Sequence, residues 1–311
     1  MKTAFIFPGQ GSQSVGMLSE AADQWPIIIE TFAEASDVLG YDLWHLCQHG
    51  PAEELNKTEL TQPALLTASI ALWRQWCVVG GRMPDYLAGH SLGEYSALVA
   101  AESMTFLDAV KLVRLRGELM QEAVPVGQGK MAAILGLEDD QVRAACEEAA
   151  NGDVVAAVNY NAPGQVVIAG STAAVDRAIE ACKARGARKA MPLPVSVPSH
   201  CALMKDAAEE LADALDEASF NDAVIPVIQN VTAKPETDRS ILKANLVSQL
   251  YSPVLWTDSV ISLGQHGVQA AVECGAGKVL AGLVKRIDKA LTVYSIESPE
   301  ACEAARAAFT D

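Results

Sequence analysis

Short apolar runs alternate along the chain with longer stretches in which apolar residues recur every three or four positions. TAFIF, DYLAGHS, VIPVIQN, AAVEC and LTVYSI read as short buried strands, and the amphipathic stretches between them as helices. Strands of this kind are covered on both faces, so the pattern predicts an α/β fold with a mostly parallel sheet. Between Lys130 and Val195 the rhythm changes. MAAILGL reads as a strand, EDDQVRAACEEAA as a helix, VVAAVNY and QVVIAG as two strands joined through NAPG, STAAVDRAIEACKARG as a helix and RKAMPLPV as a strand. This β-α-β-β-α-β order is that of a ferredoxin-like unit. The pattern therefore predicts a large α/β catalytic domain over 1–128 and 197–311, interrupted by a ferredoxin-like small subdomain over 129–196, with a cleft where they meet.

Two polar residues stand out against the apolar pattern. In TFLDAVKLVRLRGELMQ a turn of about 100° per residue puts Ala109, Leu112, Val113, Leu119 and Met120 on one face, and Arg116 falls near the middle of it. Arg114 falls on the opposite side with Lys111 and Glu118. An inward arginine needs an anion, and two sources stand open: a carboxylate of this chain, or the carboxylate of a bound substrate held bidentately. The second residue is Ser91, in YLAGHSLGEYSALVA, where G-x-S-x-G follows an apolar strand and precedes a helix. Glycines relieve a sharp strand-to-helix turn, and the serine hydroxyl is carried outward beside the helix N-terminus, as in a nucleophile elbow.

Such a serine needs a base, and the chain has five histidines. His90 is the immediate neighbour of Ser91 and, by strand alternation, faces away from the hydroxyl's substrate side as a packing or support residue. His45 and His49 lie four apart, but HLCQH lacks the glutamate of H-E-x-x-H and is followed by Gly50-Pro51, so no metal site is expected. His266, beside Gly267, suits a helix end. His200 follows Pro192, Pro194 and Pro198 and precedes a helix-like stretch. The prolines stiffen the segment that delivers its ring, which suits a general base; a helix-capping surface histidine is the alternative.

Composition narrows the setting. With 311 residues, half of them apolar, the chain can bury a large core. The apolar run after Met1 is broken by Pro8, too short for a signal peptide, and Arg74 interrupts the best candidate for a membrane span. Seven cysteines, with no C-x-x-C pair, fit buried thiols in a reducing compartment, so a cytoplasmic protein is expected. A net charge of −16 argues against a nucleic-acid partner. GQGSQSVG and GAGKVLAG fit neither a dinucleotide fingerprint nor a P-loop.

FPGQGSQ, LNKTELTQPAL, GHSLGEYSAL, the Arg116 helix, NAPGQVVIAG, PSH and GAGKVLAGL, in this order over nearly the whole chain, resemble the malonyl-CoA:acyl carrier protein transacylases of bacterial fatty-acid synthesis. The resemblance implies an α/β-hydrolase-like core with a ferredoxin-like insertion, and an acyltransferase that moves malonyl from coenzyme A to the phosphopantetheine thiol of acyl carrier protein. It implies Ser91 as nucleophile, His200 as base, Arg116 as clamp for the malonyl carboxylate, and the backbone amides of Gln10 and Leu92 as oxyanion hole. It further implies that the Gln249 backbone carbonyl orients the histidine and that Gln62 lines the pocket. The family commonly carries proline where this chain has Ala276. No cofactor, no metal and no membrane is implied, and a monomer is expected.

Acyl carrier proteins are acidic, as is this chain, so docking calls for a local basic patch. Lys183, Arg185, Arg188 and Lys189 form one candidate, and Lys285, Arg286 and Lys289 another; plain solvated surface is the alternative for both. Two other function classes share parts of this pattern. A hydrolase would use Ser91 and His200 but have no call for Arg116, and a non-catalytic carrier-protein docking module would need none of the three.

Overall fold

Residues alternate in direction along a strand, and in β1 (Lys2–Phe7) both directions are apolar. Phe5 and Phe7 enter one core cluster with Trp73 and Trp76, while Ala4 and Ile6 enter a second on the opposite face. β1 is thus a central strand buried on both sides. The computed structural model describes residues 1–195 and 197–309; Ser196, the last residue of the predicted small unit, lies outside them, as do Thr310 and Asp311.

β2 (Tyr86–Gly89) runs parallel to β1 in register Ala4 to Tyr86 through Phe7 to Gly89. The small unit's strands follow in the chain: β3 (Gly129–Leu135), β4 (Val155–Ala162), β5 (Gln165–Ser171) and β6 (Lys189–Pro192). β7 (Val227–Ile228), β8 (Pro235–Glu236), β9 (Val268–Glu273) and β10 (Thr292–Ser295) then return to the first sheet, whose order is β10-β9-β1-β2-β7-β8. Its five parallel strands are the five apolar runs of the sequence. The mostly parallel α/β fold is as expected. β8 is an addition: two residues pairing antiparallel with β7, too short to leave a pattern.

The second sheet is antiparallel, in the order β4-β5-β3-β6. Ala132, Ile134, Val166 and Ile168 pack on one face against the helices Asp139–Ala150 and Thr172–Ala184. Its other face, with Met131, Val158, Val167 and Ala169, gathers around Cys201, next to His200. β4 is bound to the first unit by backbone bonds between Tyr160 N–H and the Val254 carbonyl (3.0 Å) and between Val254 N–H and the Val158 carbonyl (2.8 Å). Met131 of β3 and Asn159 of β4 thereby come to line a shared cavity with His90 and Ser91, at the C-terminal end of β2, where a parallel sheet places its ligands.

The helix Gly93–Ala100 lies directly against these strand ends. A Cβ on Gly89 would sit 1.9 Å from the Gly93 carbonyl carbon, and one on Gly93 would sit 2.0 Å from the Phe7 carbonyl oxygen. Both obstacles are backbone, so the two glycines are required by close approach. Gly93→Ala is expected to destabilise the chain by about 3 kcal/mol or more. Gly282 lies in the helix Val279–Ile287 with nothing within 4 Å of its would-be Cβ, so Gly282→Ala should instead stabilise, by about 1 kcal/mol. Urea unfolding of both variants checks this; an unchanged midpoint for Gly93→Ala would remove the close-approach explanation.

Candidate active site

The turn between β2 and the helix Gly93–Ala100 holds Ser91 at φ 51°, a left-handed conformation that costs a residue with a Cβ about 1 to 2 kcal/mol. One side chain spans the turn. Ser91 N–H donates to Asn230 Oδ1 at 2.7 Å, and Asn230 Nδ2 donates to the Gly89 carbonyl at 2.6 Å. Two such bonds, at about 1 kcal/mol each, match the cost of the conformation they hold. Asn230 follows β7 at the C-terminal end of a parallel strand, a position that could have flagged it from the sequence.

His200 is buried, and its ring reaches Ser91. Nε2 lies 2.8 Å from Ser91 Oγ and Nδ1 lies 2.7 Å from the Gln249 backbone carbonyl. A carbonyl only accepts, so Nδ1 carries the proton and Nε2 is free to accept from the serine hydroxyl. Burial, with the Arg116 charge adding to it and the Gln249 carbonyl opposing, pulls the imidazole pKa from 6.5 to about 3. The ring therefore stands as a neutral base. Its nitrogens are committed to Ser91 and Gln249, not to a helix end; Met204 caps the helix Lys205–Glu217.

Arg116 is 2% exposed, on the inward face of the helix Phe106–Glu122 as its periodicity predicts. Its partners are neutral: Nη1 donates to Gln62 Oε1 at 2.8 Å, and Nη2 to Gln249 Oε1 at 2.9 Å and to Ser91 Oγ at 3.3 Å. Among the described residues no carboxylate pairs with it, so the structural-carboxylate alternative finds no partner. Nearest in charge is Glu94, fully buried on the elbow helix, which accepts instead from Asn230 N–H and Gln249 Nε2. Sequence reasoning passed over Glu94, although a lone acid in the apolar helix GEYSALVA was a signal.

A cavity of about 110 Å³ opens at these groups. Gln10 and Leu92 line it, and among the described residues neither backbone N–H donates to a protein acceptor. Met120, Met131 and Val197 give it apolar walls, and Asn159 of β4 contributes an Oδ1 with no hydrogen-bond partner. Gln62 is not on the wall: it is fully buried behind Arg116, which it holds. His90 packs as expected, its ring 5.5 Å between centroids from Trp256, but departs from its expected direction. It lines the cavity, with Nε2 2.7 Å from Asn161 Oδ1, because the left-handed turn at Ser91 breaks the alternation of an extended strand.

The remaining expected residues lie elsewhere. His45 and His49 stack on one helix with ring centroids 4.7 Å apart, and among the described residues no group of three or more possible ligands could hold a metal ion. His266 ends the helix Trp256–Gln265, its Nδ1 2.7 Å from the Ser262 carbonyl. In the basic clusters, Lys183 pairs with Glu180 and Arg185 with Glu148, and Arg286 donates to Gln165. Arg188, Lys189, Lys285 and Lys289 are exposed and make no ion pair among the described residues. Among the described residues no helix is long and apolar enough to cross a membrane.

Residues 4–297 match the acyl transferase domain family. The malonyl CoA-acyl carrier protein transacylase of Salmonella typhimurium is 61% identical over 302 residues, 97% of this chain and 98% of that protein. That of Bacillus subtilis is 47% identical over 305 residues, 98% and 96% of the two chains. The solved malonyl CoA-acyl carrier protein transacylase of Coxiella burnetii superposes with a TM-score of 0.99 at 47% identity, covering 100% of this chain and 98% of that one. A malonyl-transacylase solved in complex with its type II PKS acyl-carrier protein gives a TM-score of 0.98 at 52% identity, covering 99% of this chain and 100% of that one.

The Ser91–His200 pair carries an expectation independent of substrate. A serine-directed sulfonyl fluoride should label Ser91 alone, at a rate that His200→Ala lowers by about a hundred-fold or more. A lowered pKa on a base keeps it unprotonated as pH falls, so the rate should stay level through pH 6.5, where an ordinary histidine loses its basicity. Labelling at Ser12 or Ser199, or a fall centred on 6.5, would contradict this geometry.

Proposed function

The chain belongs to the acyl transferase domain family and, within it, to the malonyl CoA-acyl carrier protein transacylases, and from that premise we propose that it transfers malonyl from malonyl-CoA to the phosphopantetheine thiol of an acyl carrier protein, supplying fatty-acid elongation. The observation that carries the substrate is Arg116: a guanidinium beside the nucleophile, buried, and bonded among the described residues to neutral oxygens alone. A malonyl carboxylate is the missing anion. An acetyl group or a long acyl chain brings no charge to it, which sets this reading above a general esterase.

The transfer runs in two mirrored halves. Ser91 Oγ attacks the thioester carbonyl carbon as its proton passes to His200 Nε2, 2.8 Å away. The Gln10 and Leu92 amides, free of protein acceptors, receive the developing oxyanion. The Nδ1–H bond to the Gln249 carbonyl steadies the imidazolium. The carbon–sulfur bond breaks, coenzyme A takes the proton from His200 as its thiol, and a malonyl-serine ester remains. Arg116 Nη2, which donates to Ser91 Oγ in the free enzyme, turns to the malonyl carboxylate. The carrier's phosphopantetheine thiol then gives its proton to His200 and attacks the ester, and Ser91 recovers its own. The kinetics are ping-pong, and base, amides and guanidinium supply the chemistry with no metal or redox cofactor.

Labelled malonyl-CoA tests the reading. Label should remain on the protein, discharge to a carrier thiol, and vanish in Ser91→Ala; release as malonate without a carrier would mark a hydrolase. In Arg116→Ala, malonyl transfer should fall relative to acetyl transfer by about ten- to over a hundred-fold, the worth of one charge-assisted bond. Equal losses for both groups would assign Arg116 to the scaffold.

Docking of an acidic carrier falls to the basic residues whose charge is not already offset. Lys183 and Arg185 are neutralised by Glu180 and Glu148 and Arg286 meets only the neutral Gln165 among the described residues, so Arg188, Lys189, Lys285, Arg286 and Lys289 carry the net positive field. Charge reversal at these five should slow transfer to carrier protein at low salt and leave transfer to free pantetheine unchanged, with the difference shrinking as salt shortens the Debye length. Comparing kcat/KM for both acceptors across ionic strength decides it; equal losses with each acceptor would take these residues off the docking surface.

A further inference from the structure

One buried carboxyl group has no part in the transfer steps. Glu94 Oε2 accepts from Asn230 N–H at 3.0 Å and from Gln249 Nε2 at 3.1 Å, while Glu94 Oε1 has no hydrogen-bond partner. Two donors thus converge on a single oxygen. The Gln249 amide, for its part, has two unlike ends. Its Oε1 meets Arg116 Nη2 at 2.9 Å, and its Nε2 also donates to the Ser91 carbonyl at 3.1 Å. Turned over, the amide would aim N–H groups at the guanidinium, donor against donor in a buried place, and leave the Ser91 carbonyl without its bond. Glu94 Oε2 accepts from one end of the amide and so opposes that flip.

We propose that Glu94 is a positioning residue: it fixes the orientation of the Gln249 amide and, through it, the placement of the Arg116 guanidinium that selects the acyl group. The inference rests on the malonyl reading above. What Glu94 supplies to the amide is an oxygen in the right place, in either protonation state. Burial pushes its pKa up to about 7, against the bonds from Asn230 and Gln249 and the Arg116 charge. A proton on the unpartnered Oε1 leaves Oε2 accepting as before.

Two conservative variants separate placement from charge. Glu94→Gln keeps side-chain length and an accepting oxygen but removes the charge. Glu94→Asp keeps the carboxylate but is one methylene too short to meet both Asn230 N–H and Gln249 Nε2. Glu94→Gln should keep the wild-type preference for malonyl-CoA over acetyl-CoA. Glu94→Asp should raise KM for malonyl-CoA about ten-fold or more, since a displacement of ~1 Å at a positioning group reaches a hundred-fold, while acetyl transfer changes little. The reverse order, Asp intact and Gln impaired, would make Glu94 a counter-charge and overturn the proposal. Equal losses for both acyl groups would overturn it too, as general loosening. If Glu94→Asp does not fold, Gln249→Met takes its place: it removes the amide, keeps the carbonyl to His200, and must raise the same KM, an unchanged value refuting the proposal. Wild-type protein that accepts no malonyl group defeats the transferase reading and this inference together. Wild-type protein that accepts it, with both Glu94 variants unaltered, defeats the inference alone.

Discussion

A guanidinium taken out of water without a carboxylate to meet it is the costliest feature of this molecule, and the site is arranged around it. Arg116 is 2% exposed and its listeners are amide oxygens, Gln62 Oε1 and Gln249 Oε1, with the serine hydroxyl as a third. Neutral acceptors solvate the charge without cancelling it. A carboxylate in the same place would have cancelled the charge and left little field for a substrate. The Tyr95 ring, 5.6 Å from the guanidinium carbon, adds a further neutral surface that favours a cation.

The nucleophile depends on the same economy of neutral partners. Asn230 holds the left-handed turn at Ser91 from both sides, and the carbonyl of Gln249 sets the tautomer of His200. Gln249 thereby serves twice, its backbone carbonyl holding His200 and its side chain holding Arg116. The imidazole and the guanidinium are thus held by one residue of the helix Arg239–Tyr251, through separate groups of it.

Much of this was legible in the sequence wherever a local pattern carried the information. The apolar runs located the five parallel strands, the helical period turned Arg116 inward, and the proline-stiffened approach singled out His200 among the histidines. Glycines at 89 and 93 announced a close approach that the packing against Phe7 and Gly93 explains. Asn230 and Glu94 had local signals, but their pairing was hidden by distance along the chain. Asn230 lies 139 residues from the amide it holds, and Gln249 lies 155 from Glu94, separations at which no period or spacing survives. The direction of His90 escapes for a local reason: alternation assumes an extended backbone, and the turn at Ser91 is not extended. Gln62 shows a different limit, since a residue can sit beside a site and serve it from behind.

The small strand β8 reaches beyond the site. It ends the larger sheet with Pro235 and Glu236, paired to Ile228 and Val227. An open sheet edge is a row of unpaired backbone groups on which a strand from another molecule can grow. Proline offers no N–H to such a visitor, and a glutamate brings charge to the contact. Two residues thus terminate the sheet chemically as well as geometrically, and crowded copies of the protein meet there a border that does not invite fibril growth.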